Sequence, residues 1–141
     1  MAARPKLPAA EMIVLARQIM AKAYAPYSGF PVGAVIRGGN GRLYAGCNVE
    51  NAAYPQGWCA ETSAIAAMVA DGERRIAEIV VMGPGRALVT PCGGCRQRLR
   101  EFATDSLPVH VCGPRGLRRT VSLGELLPLS FGPKNLPGKL R

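Results

Sequence analysis

The chain has 141 residues, 48% hydrophobic and 19% charged, a composition that allows one domain with a buried core and excludes a disordered chain. Its 18 Lys and Arg residues outnumber 9 Asp and Glu residues, and the net charge of +9 is compatible with an anionic partner without requiring one. The single histidine, His110, excludes HExxH proteases and every other site that needs two histidine ligands.

The N-terminal segment does not resemble a secretory signal. Its apolar residues are interrupted by Glu11, Arg17 and Gln18, and no uncharged run approaches the ~18 residues of a membrane span. We therefore expect a cytoplasmic protein, in which stable disulfides are rare. Five cysteines also cannot all be paired with one another. The thiols are then metal ligands, catalytic groups or core residues.

Hydrophobic periodicity and turn residues divide the chain into helices and strands. In chain order, the sequence predicts a helix over 8–24, strands over 31–38 and 42–50 joined as a hairpin, a helix from 59 to a stop at 71–72, a strand over 76–83, a helix over 92–102, a strand over 107–113 and a short helix over 122–128. We expect a single domain over 1–141 with a loosely held tail from about residue 132. A hairpin followed by helical crossovers predicts a mixed sheet with helices on its faces.

Three cysteines stand at the starts of two predicted helices. Cys92 and Cys95 are three residues apart, which places both thiols on one side of a first helical turn, and Cys59 opens the other helix. A lone CxxC is ambiguous between a redox pair, a zinc site and coincidence. The third thiol favours zinc, because a helix N-terminus stabilises thiolates and three thiolates can hold Zn²⁺ with its fourth position open. The candidates for a fourth ligand are His110, Cys47 and Cys112, and each lies in a strand-like run without a second ligand nearby.

Glu61 follows Cys59 by two residues and is predicted to face the open position without being a ligand. A carboxylate beside a metal-activated water can act as general acid and base. The alternative for a Glu in a first helical turn is compensation of the helix dipole. The presence of CAE and PCGGC together favours the catalytic role.

Several segments together resemble the zinc-dependent nucleoside deaminases, and most closely the short homotetrameric cytidine deaminases. The segments are APYSGFPVG at 25–33, GCNVENAAYP at 46–55, CAE at 59–61, PCGGCRQ at 91–97 and LGELLP at 123–128. The metal motifs indicate the superfamily, and the Asn-Val-Glu-Asn block narrows the resemblance to nucleoside deaminases. The resemblance implies a three-layer α/β/α sandwich with a mixed sheet of about five strands.

The same resemblance implies the site residues and the reaction, which is hydrolytic deamination of cytidine and 2′-deoxycytidine in pyrimidine salvage. Cys59, Cys92 and Cys95 would bind one Zn²⁺ per chain, and Glu61 would move protons. The implied nucleoside contacts are Asn48 and Glu50 to the ribose, Phe30 to the base or ribose, and the backbone around Ala60 and Thr90 to the pyrimidine edge. Phe131 and Tyr54 match positions that family members lend to a neighbouring subunit's site in the tetramer. Asn48 and Glu50 also share one strand face by alternation, although a strand end leading into a polar loop is the alternative.

Some residues lie outside this pattern or depart from it. Cys47 and Cys112 are interpreted as small core residues, and His110 as a structural strand histidine. Many tetrameric relatives carry Arg directly after the catalytic Glu, where its charge offsets the zinc thiolates, whereas this chain has Thr62.

Two other functions remain open. One is a deaminase of the same fold that acts on another aminopyrimidine, such as a blasticidin-type antibiotic or a free base. The other is a basic, zinc-stabilised nucleic-acid-binding module. The arginines at 96, 98 and 100 and at 115, 118 and 119 support the second function, but they lack the interleaved aromatic residues typical of such surfaces. We expect a nucleoside substrate, with no nucleic-acid or membrane partner.

Overall fold

The computed structural model describes residues 7–138. Its elements are α1 Ala10–Met20, β1 Gly33–Gly38, β2 Leu43–Cys47, α2 Ala60–Ala70, β3 Ile76–Met82, α3 Gly93–Phe102, β4 Pro108–Gly113, β5 Gly116–Ser122 and α4 Leu123–Leu126, with 3₁₀ turns at Tyr54–Gln56 and Pro133–Asn135. Among these residues, no helix has both the length and the apolar character that crossing a membrane requires.

The strands of the described chain form one sheet in the order β2-β1-β3-β4-β5. β3 and β4 are parallel, and the other neighbouring pairs are antiparallel. The parallel pair is joined through α3, because parallel neighbours need a crossover that a tight turn cannot supply. The sheet is therefore mixed, as predicted from the hairpin and the helical crossovers.

The sheet separates two apolar layers. On one face, Met12 and Ala16 of α1 pack in a buried cluster with Val80 of β3. On the other face, Met68 of α2 and Leu99 of α3 belong to the larger buried cluster. Successive residues of β3 point to opposite faces, and this explains why the strand is apolar almost throughout. Helices on both faces confirm the predicted three-layer sandwich.

The fifth strand is absent from the elements predicted along the chain, although the family resemblance implied a sheet of about five strands. β5 pairs antiparallel with β4, from Pro108↔Ser122 to Gly113↔Gly116. It lies at the edge of the sheet, where its residues are half-buried except for the exposed Arg119. An edge position tolerates charged side chains, so the strand lacks the alternation by which β2 was recognised.

The first helix is shorter than its predicted range of 8–24. After Met20 the chain turns, and the N–H of Tyr24 donates to the carbonyl of Asn48 at 3.0 Å. The N–H of Glu50 donates in turn to the carbonyl of Tyr24 at 2.8 Å. These bonds place the segment after α1 beside the segment after β2. They also explain why the predicted strand over 42–50 ends at Cys47.

His110 is a fully buried residue of β4. Its Nδ1 lies 2.9 Å from Oγ1 of Thr120 on β5, and its Nε2 lies 3.3 Å from Oε1 of the buried Glu78 on β3. Glu78 in turn lies 3.4 Å from Nε of Arg37. This row of polar side chains crosses four strands, in agreement with a structural role for the histidine. Cys112 is likewise buried, in the cluster beneath α1.

Candidate metal centre and adjoining cleft

The N-termini of α2 and α3 converge, and each presents thiols. Cys59 is the N-cap of α2 and Cys92 is the N-cap of α3, both with extended backbone, while Cys95 lies in the first turn of α3. The Sγ atoms of Cys59, Cys92 and Cys95 all lie within 4.8 Å of one another. The Sγ atoms of Cys59 and Cys92 are 3.9 Å apart.

The cluster fits a zinc ion. Tetrahedral Zn²⁺ with Zn–S bonds of ~2.3 Å separates its sulfur ligands by about 3.8 Å, close to the 3.9 Å between the Sγ atoms of Cys59 and Cys92. All five cysteines of the described chain are free thiols, so none of these three is committed to a disulfide. Within residues 7–138, these three cysteines are the group of side chains arranged to hold a metal ion, and His110, Cys47 and Cys112 are not part of it. A set of three ligands is typical of catalytic zinc.

The thiols are electrostatically coupled. Hydrogen bonding from Cys95, together with the neighbouring Cys92, lowers the pKa of Cys59 to about 6. The same hydrogen bond and burial raise the pKa of Cys95. Cys59 is therefore readily available as a thiolate, the form that binds a metal.

Glu61 lies within reach of this cluster and is almost completely buried, with 3% exposure. Its Oε2 is 3.6 Å from Sγ of Cys95. Burial is the main cause that raises the pKa of its carboxyl group above the ordinary value. A buried carboxyl whose pKa is raised holds its proton more readily near neutral pH, as a general acid and base requires.

A cleft of about 350 Å³ opens above the cysteines and Glu61. Its lining residues are Phe30, Val32, Asn48, Val49, Glu50, Gly57, Trp58, Cys59, Ala60, Glu61, Val89, Thr90 and Cys92. Its volume suits a small-molecule ligand. A larger cleft, of about 680 Å³, lies elsewhere between Arg74, Arg100 and Lys134, and it contains none of the predicted site residues.

Asn48 and Glu50 reach this cleft while also binding the segment before β1. Oδ1 of Asn48 accepts a hydrogen bond from the N–H of Val32 at 2.8 Å, and its Nδ2 donates to the carbonyl of Phe30 at 2.9 Å. Glu50 accepts hydrogen bonds from the backbone of Tyr27 and from both the backbone and the hydroxyl of Ser28. Each side chain retains unused hydrogen-bonding capacity for a ligand. The two residues thus shape the cleft as well as line it.

The aromatic residues proposed for the site do not all lie in this cleft. Phe30 lines it and is partly exposed, at 43%. Tyr54 lies in a neighbouring cleft, where its ring contacts Tyr27 edge-on at 5.7 Å between centroids. Phe131 does not line the cleft, and its carbonyl accepts a hydrogen bond from Gln97. One chain therefore does not bring Tyr54 and Phe131 to its own cysteines.

The cytidine and deoxycytidylate deaminase zinc-binding region matches the chain over residues 8–111. The chain belongs to this deaminase family. The match contains all three clustered cysteines, Glu61 and the residues that line the cleft.

Individual deaminases match most of the chain. A crystal structure of cytidine deaminase from Burkholderia pseudomallei has a TM-score of 0.83 and 39% identity, covering 89% of this chain and 100% of that one. The cytidine deaminase of Sporosarcina psychrophila is 37% identical over 126 residues, 89% of this chain and 93% of the relative. That of Mycobacterium tuberculosis H37Rv is 39% identical over 127 residues, 89% of this chain and 91% of the relative.

Two arginines that hold the backbone around the cleft were not predicted from the sequence to have this role. Nη2 of Arg96 donates to Oγ1 of Thr90 at 3.1 Å, and its other nitrogens donate to the carbonyls of Pro91 and Leu126. Arg118 of β5 donates to the carbonyls of Gly85 and Ala87, in the loop that leads to Thr90. Arg96 belongs to PCGGCRQ and to the arginine cluster at 96, 98 and 100, but neither pattern indicated a bond to Thr90, and β5 was not predicted. The Trp58 side chain also lines the cleft, and its position directly before Cys59 was its only sequence signal.

Thr62 occupies the position where many tetrameric deaminases have an arginine. Its Oγ1 is buried and has no hydrogen-bond partner within the described chain. The position therefore supplies neither a positive charge nor a satisfied hydroxyl. A guanidinium does approach the thiols from another element, because Nη1 of Arg98 lies 3.9 Å from Sγ of Cys95.

Proposed function

We propose that the protein catalyses the hydrolytic deamination of cytidine and 2′-deoxycytidine to uridine and 2′-deoxyuridine, with release of ammonia. The observation that carries this proposal is the buried Glu61 beside three clustered cysteines, beneath a cleft lined by Asn48 and Glu50. Membership of the deaminase family and the similar cytidine deaminases support the choice of substrate.

Cys59, Cys92 and Cys95 would hold the zinc ion. When bound, Zn²⁺ supplies Lewis-acid activation of water near neutral pH. Glu61 takes one proton from the water that attacks C4 of the cytosine ring and delivers it to N3. It then takes the second proton from the hydroxyl group added at C4 and delivers it to the departing amino group, so that water and cytidine become uridine and ammonia. Its raised pKa suits both directions of transfer.

The rest of the cleft binds and orients the nucleoside. Asn48 and Glu50 hydrogen-bond the ribose hydroxyls, and Phe30 packs against the base or ribose. The backbone at Ala60 and Thr90 pairs with the pyrimidine edge. Arg96 supports this contact, because it bonds both the Thr90 hydroxyl and the carbonyl of Pro91. Orientation of this kind reduces the entropic cost of reaching the transition state.

The cleft is completed by neighbouring chains in a homotetramer. Phe131 and Tyr54 are 58% and 75% exposed, and Phe131 does not line its own chain's cleft. Side chains of this size in such positions are suited to packing on another copy.

The decisive test combines substrate specificity with one variant. Ammonia release is measured from cytidine, 2′-deoxycytidine, cytosine and blasticidin S, and zinc per chain is measured beside it. Turnover of the two nucleosides supports the proposal, whereas turnover of cytosine or blasticidin S alone would overturn the substrate assignment.

Glu61→Gln keeps the shape of the side chain and removes its proton-transfer capacity. We expect kcat to fall by at least about 10²-fold with zinc retained, which is the lower range for loss of a general acid and base. The matched control is Glu11→Gln, an exposed carboxylate on α1 outside the cleft, for which kcat should be unchanged. An active Glu61→Gln variant, or one that has lost its zinc, would contradict the proposed role.

A further inference from the structure

The proposed zinc centre has an unbalanced charge. One Zn²⁺ and three thiolates carry a formal charge of about −1, since the thiolates are the metal-binding form. A net negative charge in a partly buried site needs a nearby cation or several hydrogen-bond donors. The residue after Glu61 is the uncharged Thr62, so α2 supplies no cation at this point.

We propose that Arg98 of α3 is the residue that balances this charge and thereby positions and stabilises the thiolate set. The inference rests on the proposed assignment of Cys59, Cys92 and Cys95 as zinc ligands. It goes beyond that assignment by naming a residue outside the ligands and the cleft that determines how tightly the metal is held.

The geometry of α3 brings this guanidinium to the thiols. Arg98 follows Cys95 by three residues, so the two side chains are neighbours on one face of the helix. Nη1 of Arg98 is 3.9 Å from Sγ of Cys95. This distance is long for a strong bond but places a full positive charge at the cluster. A charge at that distance still acts on the thiolates, because Coulomb attraction declines only as the inverse of distance.

Gly94 leaves room for the arginine head group. A Cβ atom built at Gly94 would lie 3.1 Å from Nη1 of Arg98 and 4.0 Å from Sγ of Cys92. The guanidinium therefore lies beside the backbone of residue 94 in the first turn of α3, near Sγ of Cys95. At Gly93, by contrast, a Cβ would meet nothing within 4 Å.

The neighbouring arginines of α3 are engaged elsewhere. Arg96 donates to Thr90 and to two backbone carbonyls, and Arg100 donates to Ser130 and to the carbonyl of Ala103. Among the hydrogen bonds found within residues 7–138, the cationic donor to a clustered thiol is Arg98. The three arginines thus perform separate tasks on one helix.

The experiment measures zinc affinity, which does not depend on turnover. Wild-type chain and the variants Arg98→Gln, Arg98→Lys and Arg74→Gln compete for zinc against a chromophoric chelator at neutral pH. Loss of an outer-shell partner typically weakens metal binding by 10–100-fold, and we expect Arg98→Gln to lose about 10-fold. Arg98→Lys retains most of the affinity because it keeps the charge. Arg74→Gln removes the same charge from an exposed site away from the cysteines and leaves the affinity unchanged.

A variant without the charge but with a similar stem separates an electrostatic role from a packing role. Arg98→Met keeps the aliphatic stem and removes the charge, so it should lose zinc affinity as Arg98→Gln does. It also keeps the test available if Arg98→Gln does not fold. Wild-type zinc affinity in a folded Arg98→Met chain would show that Arg98 acts through packing and would overturn the proposal.

The outcomes also distinguish this inference from the proposed function. Wild-type affinity in a folded Arg98→Gln chain that binds one zinc would overturn the role of Arg98 alone. A wild-type chain that binds no stoichiometric zinc would overturn the ligand assignment, and the inference with it.

Discussion

Asn48 and Glu50 are each bonded to the segment that precedes β1 before any ligand is bound. The amide of Asn48 holds Phe30 and Val32 through one accepted and one donated hydrogen bond. The carboxylate of Glu50 holds Ser28 through two more. In the proposed function, a nucleoside would therefore meet groups that are already oriented, and less conformational freedom would be lost on binding. At the scale of single residues, binding capacity and local folding depend on the same side chains.

Ser28 determines the acidity of Glu50. Its hydroxyl is the largest cause of the lowered pKa of Glu50, followed by its backbone N–H. A lowered folded-state pKa gives stability that is present above the ordinary value of 4.5 and is lost as the pH falls through the folded value. In Ser28→Ala the pKa of Glu50 should rise toward 4.5, and acid should loosen this segment at a higher pH.

The measurement is the carboxyl ¹³C shift of Glu50 against pH, with urea unfolding followed over the same range. Ser106→Ala is the control, because Ser106 bonds Thr104 and does not contact Glu50. An unchanged titration of Glu50 in Ser28→Ala would contradict the assigned cause.

Two glycines allow the helices to approach the sheet closely. A Cβ at Gly33 of β1 would lie 2.4 Å from the carbonyl oxygen of Ala16 on α1. A Cβ at Gly46 of β2 would lie 2.4 Å from the backbone N of Ala64 and 2.5 Å from the carbonyl oxygen of Ala60, both on α2. Cys59, a proposed zinc ligand, is the N-cap of α2. At the element scale, the contact of α2 with β2 therefore determines where the proposed metal centre lies.

Gly46→Ala should displace α2, because the clash is with backbone atoms that cannot rotate away. We expect a loss of about 1–3 kcal/mol in the free energy of unfolding, the usual cost of overpacking. Zinc affinity should fall as well, since Cys59 and Glu61 move with the helix. Urea unfolding and zinc competition measure the two effects.

Gly39→Ala in the same hairpin is the control for Gly46→Ala. Its nearest neighbour would be Cβ of Arg75 at 3.4 Å, an ordinary contact, and we expect little change. Equal stability and zinc affinity in the Gly46 and Gly39 variants would show that the approach of α2 to β2 is not tight.

Large aromatic side chains are exposed on the single chain, in the cleft and outside it. Tyr27, Tyr54, Trp58 and Phe131 are each more than half exposed. Such a group of aromatic residues is unfavourable on a monomer and is typical of an interface. At the scale of the whole molecule, these side chains are what the proposed tetramer would bury.

Mixed assemblies test whether Phe131 serves a neighbouring site. An assembly of Phe131→Ala chains should be impaired, because no chain in it lends a Phe131 ring to a neighbouring site. An assembly of Glu61→Gln chains should be inactive. Co-refolding the two gives sites with an intact Glu61 and a neighbour's Phe131. We expect activity per Glu61-containing chain to exceed that of Phe131→Ala alone.

The control for the mixing experiment is co-refolding Glu61→Gln with wild type, which should give no gain per active chain. Mixed assemblies no more active than Phe131→Ala alone would contradict the shared site. Analytical ultracentrifugation of each mixture shows whether assemblies form at all.

The sequence alone determined the family, the fold class and the position of the cysteines at the starts of α2 and α3. These features depend on local spacing, because CAE, PCGGC and the hydrophobic periodicity of each element can be recognised within short stretches of sequence. β5 was not predicted from the sequence, because this edge strand contains Arg118 and Arg119 and lacks alternating apolar residues. The boundaries at Met20 and Cys47 depend on bonds between Tyr24 and the segment after β2, far apart in sequence.

Only the tertiary structure decided how the helix N-termini meet and what supports them. Three contacts depend on how side chains and backbone run in three dimensions. They are the approach of Arg98 to a thiol, the bond from Arg96 to Thr90 and the close packing of α2 against Gly46. The net charge of +9 is compatible with an anionic partner, but some of the arginines that contribute to it, such as Arg96, Arg100 and Arg118, bond to other parts of the chain. Composition records how many charges a chain has, whereas their effect depends on the distances that folding sets between them.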